Sequence, residues 1–311
     1  MSARLDPNLA LANDAMRLLR QDVHLALDHL ARAHAEPEEH LHKCRRRLKA
    51  VRALLRLVRP GDETFFKAEN ARYRDVAASL AGPREATALI ETVDRLAEAH
   101  PHHADLYAGL RAILVERRNA AMSDIATFAS VIDAATATCR QGLLRVGALS
   151  LPADPNASAA IVARGVQTAI DRAKKALTKA RSHGKEEDFH DLRKAVKVHA
   201  AQLDLVGKLW PGGDKARRKA LDKLGGKLGD LNDLAVFGAL LSKDAEAFKL
   251  APEALRTIEK DLKREAKRLR KESLAGTAAL FEHDWKRKTA KLTERLRLQF
   301  AAVSTTTLWA A

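Results

Sequence analysis

The chain has 311 residues, room for two ordinary domains or one duplicated one, and 46% of them are hydrophobic but only 4% aromatic. Ala and Leu dominate, β-branched runs are few and there are only 15 Gly, a composition that favours packed helices over sheets. A formal net charge of +15 points to a polyanionic partner (nucleic acid, polyphosphate or an anionic membrane surface), while two cysteines, Cys44 and Cys139, exclude a disulfide framework.

No apolar run approaches the roughly 20 residues of a membrane span, and the start M-S-A-R-L-D-P-N-L-A lacks the pattern of a secretory signal. A soluble, cytoplasmic protein without membrane insertion is expected. Residues 8–34 read as an amphipathic helix with Leu9, Met16, Leu19, Val23, Leu27 and Leu30 inward, started by Asp6-Pro7. His24, His29 and His34 stand five apart on it, off the spacing that zinc ligands use on a helix, so no metal is expected there.

From His40 to Gly61 the chain carries eight Lys or Arg and two His without one Asp or Glu. On a helix, Leu41, Leu48, Val51, Leu54, Leu55 and Val58 share one arc. His42, Arg45, Arg46, Lys49, Arg52 and Arg56 fall within about 140° of the opposite side. An ordinary solvated face mixes signs, because like charges one turn apart repel. Here Arg45–Lys49, Lys49–Arg52 and Arg52–Arg56 are all like-charge neighbours, the pattern of an anion-binding face.

A helix over 64–80 follows, with Lys67, Arg72 and Arg74 either extending the cationic surface or simply solvated. Gly82-Pro83 breaks or kinks the chain before a segment running to about 99. His100-Pro101-His102-His103 has no Cys or carboxylate at ligand spacing nearby, so a polar turn is expected. One long helical region spans 104–142, and residues 151–158, with two prolines, form the linker.

The second half begins with a helix over 159–181, then a turn and a second basic helix from Glu186 to about Trp210. His199 lies in its apolar arc and is expected buried or interfacial. Lys215, Arg217, Arg218, Lys223 and Lys227 follow on the next helix. Gly225-Gly226-Lys227-Leu228-Gly229 lacks a preceding strand, which favours close helix packing or a kink over a phosphate loop. Residues 252–272 mix charges as a solvated helix does, a last helix covers 285–300, and the end from Val303 is expected loose.

The two basic helices repeat at an offset of 148 residues: His190, Arg193, Lys194 and Lys197 reproduce the types and spacing of His42, Arg45, Arg46 and Lys49. Val196, Leu203 and Leu205 match Leu48, Leu55 and Leu57, and Asn232-Asp233 falls on Arg84-Glu85. An all-α, internally duplicated protein with halves 1–150 and 151–311 follows. No Walker A loop, dinucleotide fingerprint, H-E-x-x-H or G-x-S-x-G is present. Asp204 is the exception to basic faces almost free of carboxylates, so no acid set to hold Mg²⁺ can be assembled. Binding rather than catalysis is expected, with no cofactor and no metal.

The stretches H-K-C-R-R-R-L-K-A-V-R-A-L-L-R-L-V-R-P, F-H-D-L-R-K-A-V-K and L-G-D-L-N-D-L-A-V resemble the CHAD family, the conserved histidine α-helical domain, in order and over nearly the whole chain. The resemblance implies two antiparallel four-helix bundles related by pseudo-twofold symmetry, a basic groove or pore between them, and binding of inorganic polyphosphate at polyphosphate granules. By position it implies a site of His42, Arg45, Arg46, Lys49, His190, Arg193, Lys194 and Lys197, with Arg52 and Arg56 continuing the stripe and Lys223 and Lys227 near it. His42 and His190 would then tighten binding below neutral pH. Ala200-Ala201 stand where the family carries Arg-Tyr, so the second stripe is shorter. A nucleic-acid-binding protein, or a regulatory subunit of a polyphosphate- or triphosphate-metabolising enzyme, remains the alternative.

Overall fold

The apolar arcs become the inner faces of helices, and all regular structure among the described residues is helical. The computed structural model describes residues 4–6, 8–122, 125–212, 215–248, 250–282 and 285–309, without the side chains of 82–85, 121, 122, 125, 126, 208, 247 and 303–309. Helices α1 (Leu11–Arg32) and α2 (Pro37–Val58) form an antiparallel hairpin. Pro37 opens α2 with Glu38 and Glu39 in its positive first turn, and its whole apolar arc from Leu41 to Val58 is buried. Cys44 lies in that core, as does Cys139, and burial pushes the Cys44 thiol up to about 12.

Asp62 caps α3 (Glu63–Ser79) by accepting the Phe65 N–H at 2.9 Å, and the Gly82-Pro83 break begins α4 (Gly82–Ala99). Lys67, Arg72 and Arg74 pair with Glu63, Glu69 and Asp75 on the same helix, and none of them lines the basic cleft along α2. The helical region expected over 104–142 is described as α5 (Ala104–Met122) and α6 (Ile125–Arg145), which pack on different partners, and residues 123–124 between them lie outside the described residues.

The linker ends sooner than its prolines suggest. Asp154 accepts the Ala157 N–H at 2.7 Å and Pro155 takes the first helical position, so α7 (Pro155–Ser182) starts inside it. Then come α8 (Glu186–Val206), α9 (Lys215–Lys243), α10 (Pro252–Phe281) and α11 (Trp285–Trp309), the last continuing through residues expected to be loose. Helix α9 runs unbroken through Gly225, Gly226 and Gly229; Gly225 and Gly229 face side chains of α8, while Gly226 faces open space.

Each half holds a ring of four paired helices. The first joins α1 to α2, α2 to α3, α3 to α6 and α6 to α1; the second joins α7 to α8, α8 to α9, α9 to α10 and α10 to α7, with α11 packed along α7. The halves meet where α2 lies against α7 and α8, and where α4 lies against α9. Leu5 N–H also donates to the Leu205 carbonyl at 2.9 Å, and at Gly165 of α7 a Cβ would stand 2.8 Å from the carbonyl carbon of Leu57 and overlap its oxygen. Only a residue without a side chain lets these two backbones touch.

His199 is fully buried, with Phe281 and Trp210 edge-on to its ring. Burial first, and then the nearby Arg217, hold its pKa down to about 3, so the neutral ring accepts a hydrogen bond from Arg217 Nε at 3.2 Å. Arg217 itself stacks 3.9 Å from the Trp285 ring and belongs to the core. No described helix is long and apolar enough to cross a membrane.

Candidate anion-binding site

Helices α2 and α7 touch at Leu57 and Gly165 and run side by side from there with opposite chain sense, α2 back towards Lys43 and α7 on towards Lys179. With α8 they enclose a cleft of about 1160 Å³. Among the described residues its lining carries thirteen Lys or Arg against three Asp. All three acids are engaged: Asp22 with Arg47 at 3.2 Å, Asp191 with Lys194 at 2.6 Å and Asp204 with Arg218 at 2.6 Å. The cleft therefore keeps an excess of ten positive charges that its own acids do not balance.

One wall is α2, with Arg46, Lys49, Arg52 and Arg56; a second is α8, with Arg193, Lys194 and Lys197. The third wall is α7, with Arg172, Lys175 and Lys179, and the sequence reading did not contain it. These three exposed cations rise beside Ala169 and Ala176, whose small side chains leave the space open. Ala201 of α8 also lines the cleft, so the shortened second stripe leaves volume that α7 lines with charge.

The rows face each other closely enough to perturb one another. Solvent reaches Lys49, yet the surrounding walls desolvate it, and Arg45, Lys197, Arg193 and Arg52 add repulsion, lowering its pKa to about 8. Burial and then Arg193 lower Lys197, against a smaller pull from Asp233 and Asp222. Burial, Arg52 and Arg172 lower Arg56 to about 10, so α2 meets α8 at Lys49 and α7 at Arg56. Glycines on α9 make room behind α8: a Cβ on Gly225 or Gly229 would come within 3.8 Å of Lys197 Cε or Arg193 Nε.

Other expected site residues lie elsewhere. Arg45 is half-buried beside Lys49 and does not line the cleft, and His42 is exposed on α2 outside it. His190 donates from Nδ1 to Asn232 Oδ1 at 2.6 Å and lines a separate groove between α8, α9 and α10. Lys223 is exposed away from the cleft, and Lys227 is drawn to Glu272 of α10. Asp233 pairs with Arg95 of α4 at 3.6 Å, a contact between the halves; the matching Arg84 and Glu85 side chains lie outside the described residues.

The model of the CHAD domain matches residues 17–242, which contain all three walls. The chain belongs to the CHAD domain family. Among solved structures, PptA from Streptomyces chartreusis superposes on this CHAD chain with a TM-score of 0.63 at 19% identity, covering 85% of this chain and 98% of that one. The CHAD domain from the plant Ricinus communis gives 0.49 at 18% identity, covering 94% and 92%. At such identities the first of these likenesses establishes the all-α CHAD fold and nothing finer. No curated protein sequence matches the chain. Helices α10 and α11 follow the matched span.

Proposed function

We propose that this CHAD chain binds inorganic polyphosphate in the cleft between α2, α7 and α8. The observation that carries the reading is the excess of ten positive charges, with twelve of the thirteen cations coming from α2, α7 and α8. Polyphosphate is a flexible linear polyanion without base edges, so rows of cations are sufficient to hold it. Arg grips phosphate oxygens in pairs and Lys supplies point charge. No Phe, Tyr or Trp lines the cleft among the described residues, which removes the stacking platform that single-stranded nucleic acid uses. The three lining carboxylates are tied to cations, which favours binding over metal-assisted hydrolysis.

Lys49 adds a pH dependence of opposite origin to the one expected from His42 and His190. Its pKa near 8 in the anion-free protein rises when phosphate neutralises its neighbours, so binding above pH 8 takes up a proton. Calorimetric titration with long-chain polyphosphate beside single-stranded DNA of equal charge, at pH 7 and 9, tests both points. Polyphosphate is expected to bind at least tenfold tighter than DNA, and to weaken by roughly another tenfold at pH 9 as one lysine must be recharged. Equal affinity for the two polymers would contradict the polyphosphate reading, and an affinity flat with pH would remove Lys49 from the contact.

A further inference from the structure

The turn between α4 and α5 meets a carboxylate that the sequence places 158 residues away. His103 Nδ1 lies 2.7 Å from Asp261 Oδ2 of α10, and His100 Nδ1 lies 3.3 Å from Asp261 Oδ1. One ligand atom from each of the three residues fits within a span of 4.8 Å. His100 is only 8% exposed and Asp261 5%, yet His100 Nε2 is buried without a hydrogen-bond partner, 3.9 Å from Glu265 Oε1. Tyr107 donates its hydroxyl to Asp261 Oδ2 at 2.8 Å and fixes that carboxylate from behind.

We propose that His100, His103 and Asp261 bind a divalent transition metal of the zinc class, with Glu265 in reach as a fourth ligand. Two imidazoles and a carboxylate are the nitrogen and oxygen donors that Zn²⁺ takes at about 2.0–2.2 Å. A hydrogen-bonded cluster explains the His103–Asp261 contact, but it leaves the buried His100 Nε2 unused. On metal binding the proton shared by His103 and Asp261 leaves to solvent, and their separation opens by about half an ångström to admit the ion. His103 is 38% exposed at its side chain and provides the entry. The ion would tie the α4–α5 turn of the first half to α10 of the second, independently of any ligand in the cleft.

The test is Zn²⁺ titration of the metal-free full chain against a chromophoric chelator, with thermal melts of the same samples. One ion per chain and a melting temperature raised by several degrees are expected. His103→Gln and Asp261→Asn should each lower affinity at least tenfold and abolish the thermal shift. His103→Gln changes a partly exposed residue and retains the helical fold, so it decides the matter if Asp261→Asn unfolds. His29→Ala, which breaks the other close histidine pair (His29 Nδ1 to His40 Nδ1, 3.2 Å), should change nothing. No binding by the wild type, binding unchanged in His103→Gln, or loss only in His29→Ala would each overturn the site.

Discussion

Replacing Lys49, Arg56, Lys175 and Lys197 together by alanine is expected to lower the affinity for long-chain polyphosphate by on the order of 100- to 1,000-fold at low salt. The four residues take at least one cation from each wall of the cleft. Four lost phosphate contacts should also flatten the dependence of log affinity on log salt by roughly 3, taking about 0.7 per contact as for a single strand. The variant should be no less stable than the wild type. Burial and like-charged neighbours lower the pKa values of Lys49, Arg56 and Lys197, so in the anion-free protein these charges oppose the fold. Calorimetry and a thermal melt on the same sample check both halves of the result. Wild-type affinity in the variant would place the polymer elsewhere, and a large loss of stability would mean that these cations serve the core.

The second large effect is expected at Gly165. In an exposed helix Gly→Ala stabilises by up to about 1 kcal/mol, because Ala restricts the unfolded chain and favours the helix. At Gly165 the new methyl group meets the backbone carbonyl of Leu57, and backbone cannot swing aside as a side chain can. Gly165→Ala should therefore destabilise by about 1–3 kcal/mol, the usual cost of overpacking. Gly226, in the middle of α9 with nothing within 4 Å of its Cβ position, is the matched control. There the same change should stabilise by about 0.5–1 kcal/mol. Urea unfolding of the pair reads the contrast directly. A stabilised Gly165→Ala would show that α7 and α2 do not meet there. Because that contact closes one end of the cleft, the Gly165 variant should also bind polyphosphate more weakly, while Gly226→Ala should not.

Much of the scaffold was legible because it is periodic. The apolar arcs of α2 and α8 are buried at matching positions, Leu48 with Val196 and Leu55 with Leu203. The cations opposite them at Lys49 and Lys197 do face a common space. The third wall was not legible, since Arg172, Lys175 and Lys179 share α7 with Asp171 and read as ordinary solvated charge. Their only local mark is the row Gly165, Ala169, Arg172, Ala176 and Lys179, small residues and cations one helical turn or two apart. That row means something only once Gly165 seats α7 on Leu57.

Residue type also misled where a partner came from far along the chain. Lys227 looks like a free basic position until α10 brings Glu272 to it, and Arg217 until Trp285 covers it. His42 and His190 carry the repeat's signature, but their helical positions put both outside the cleft. The cluster at His100 depends on Asp261, whose segment reads as a solvated helix because its neighbours Lys260, Lys263 and Arg264 are exposed.

The most direct test of the central claim is a lysine-acylation footprint, read by mass spectrometry with and without long-chain polyphosphate. Binding in the cleft predicts protection of Lys49, Lys175, Lys179 and Lys197, while the exposed Lys215, Lys223 and Lys260 keep their full reactivity. Protection spread evenly over all seven, or concentrated on Lys223 and Lys260, would contradict it and leave the cleft without its ligand.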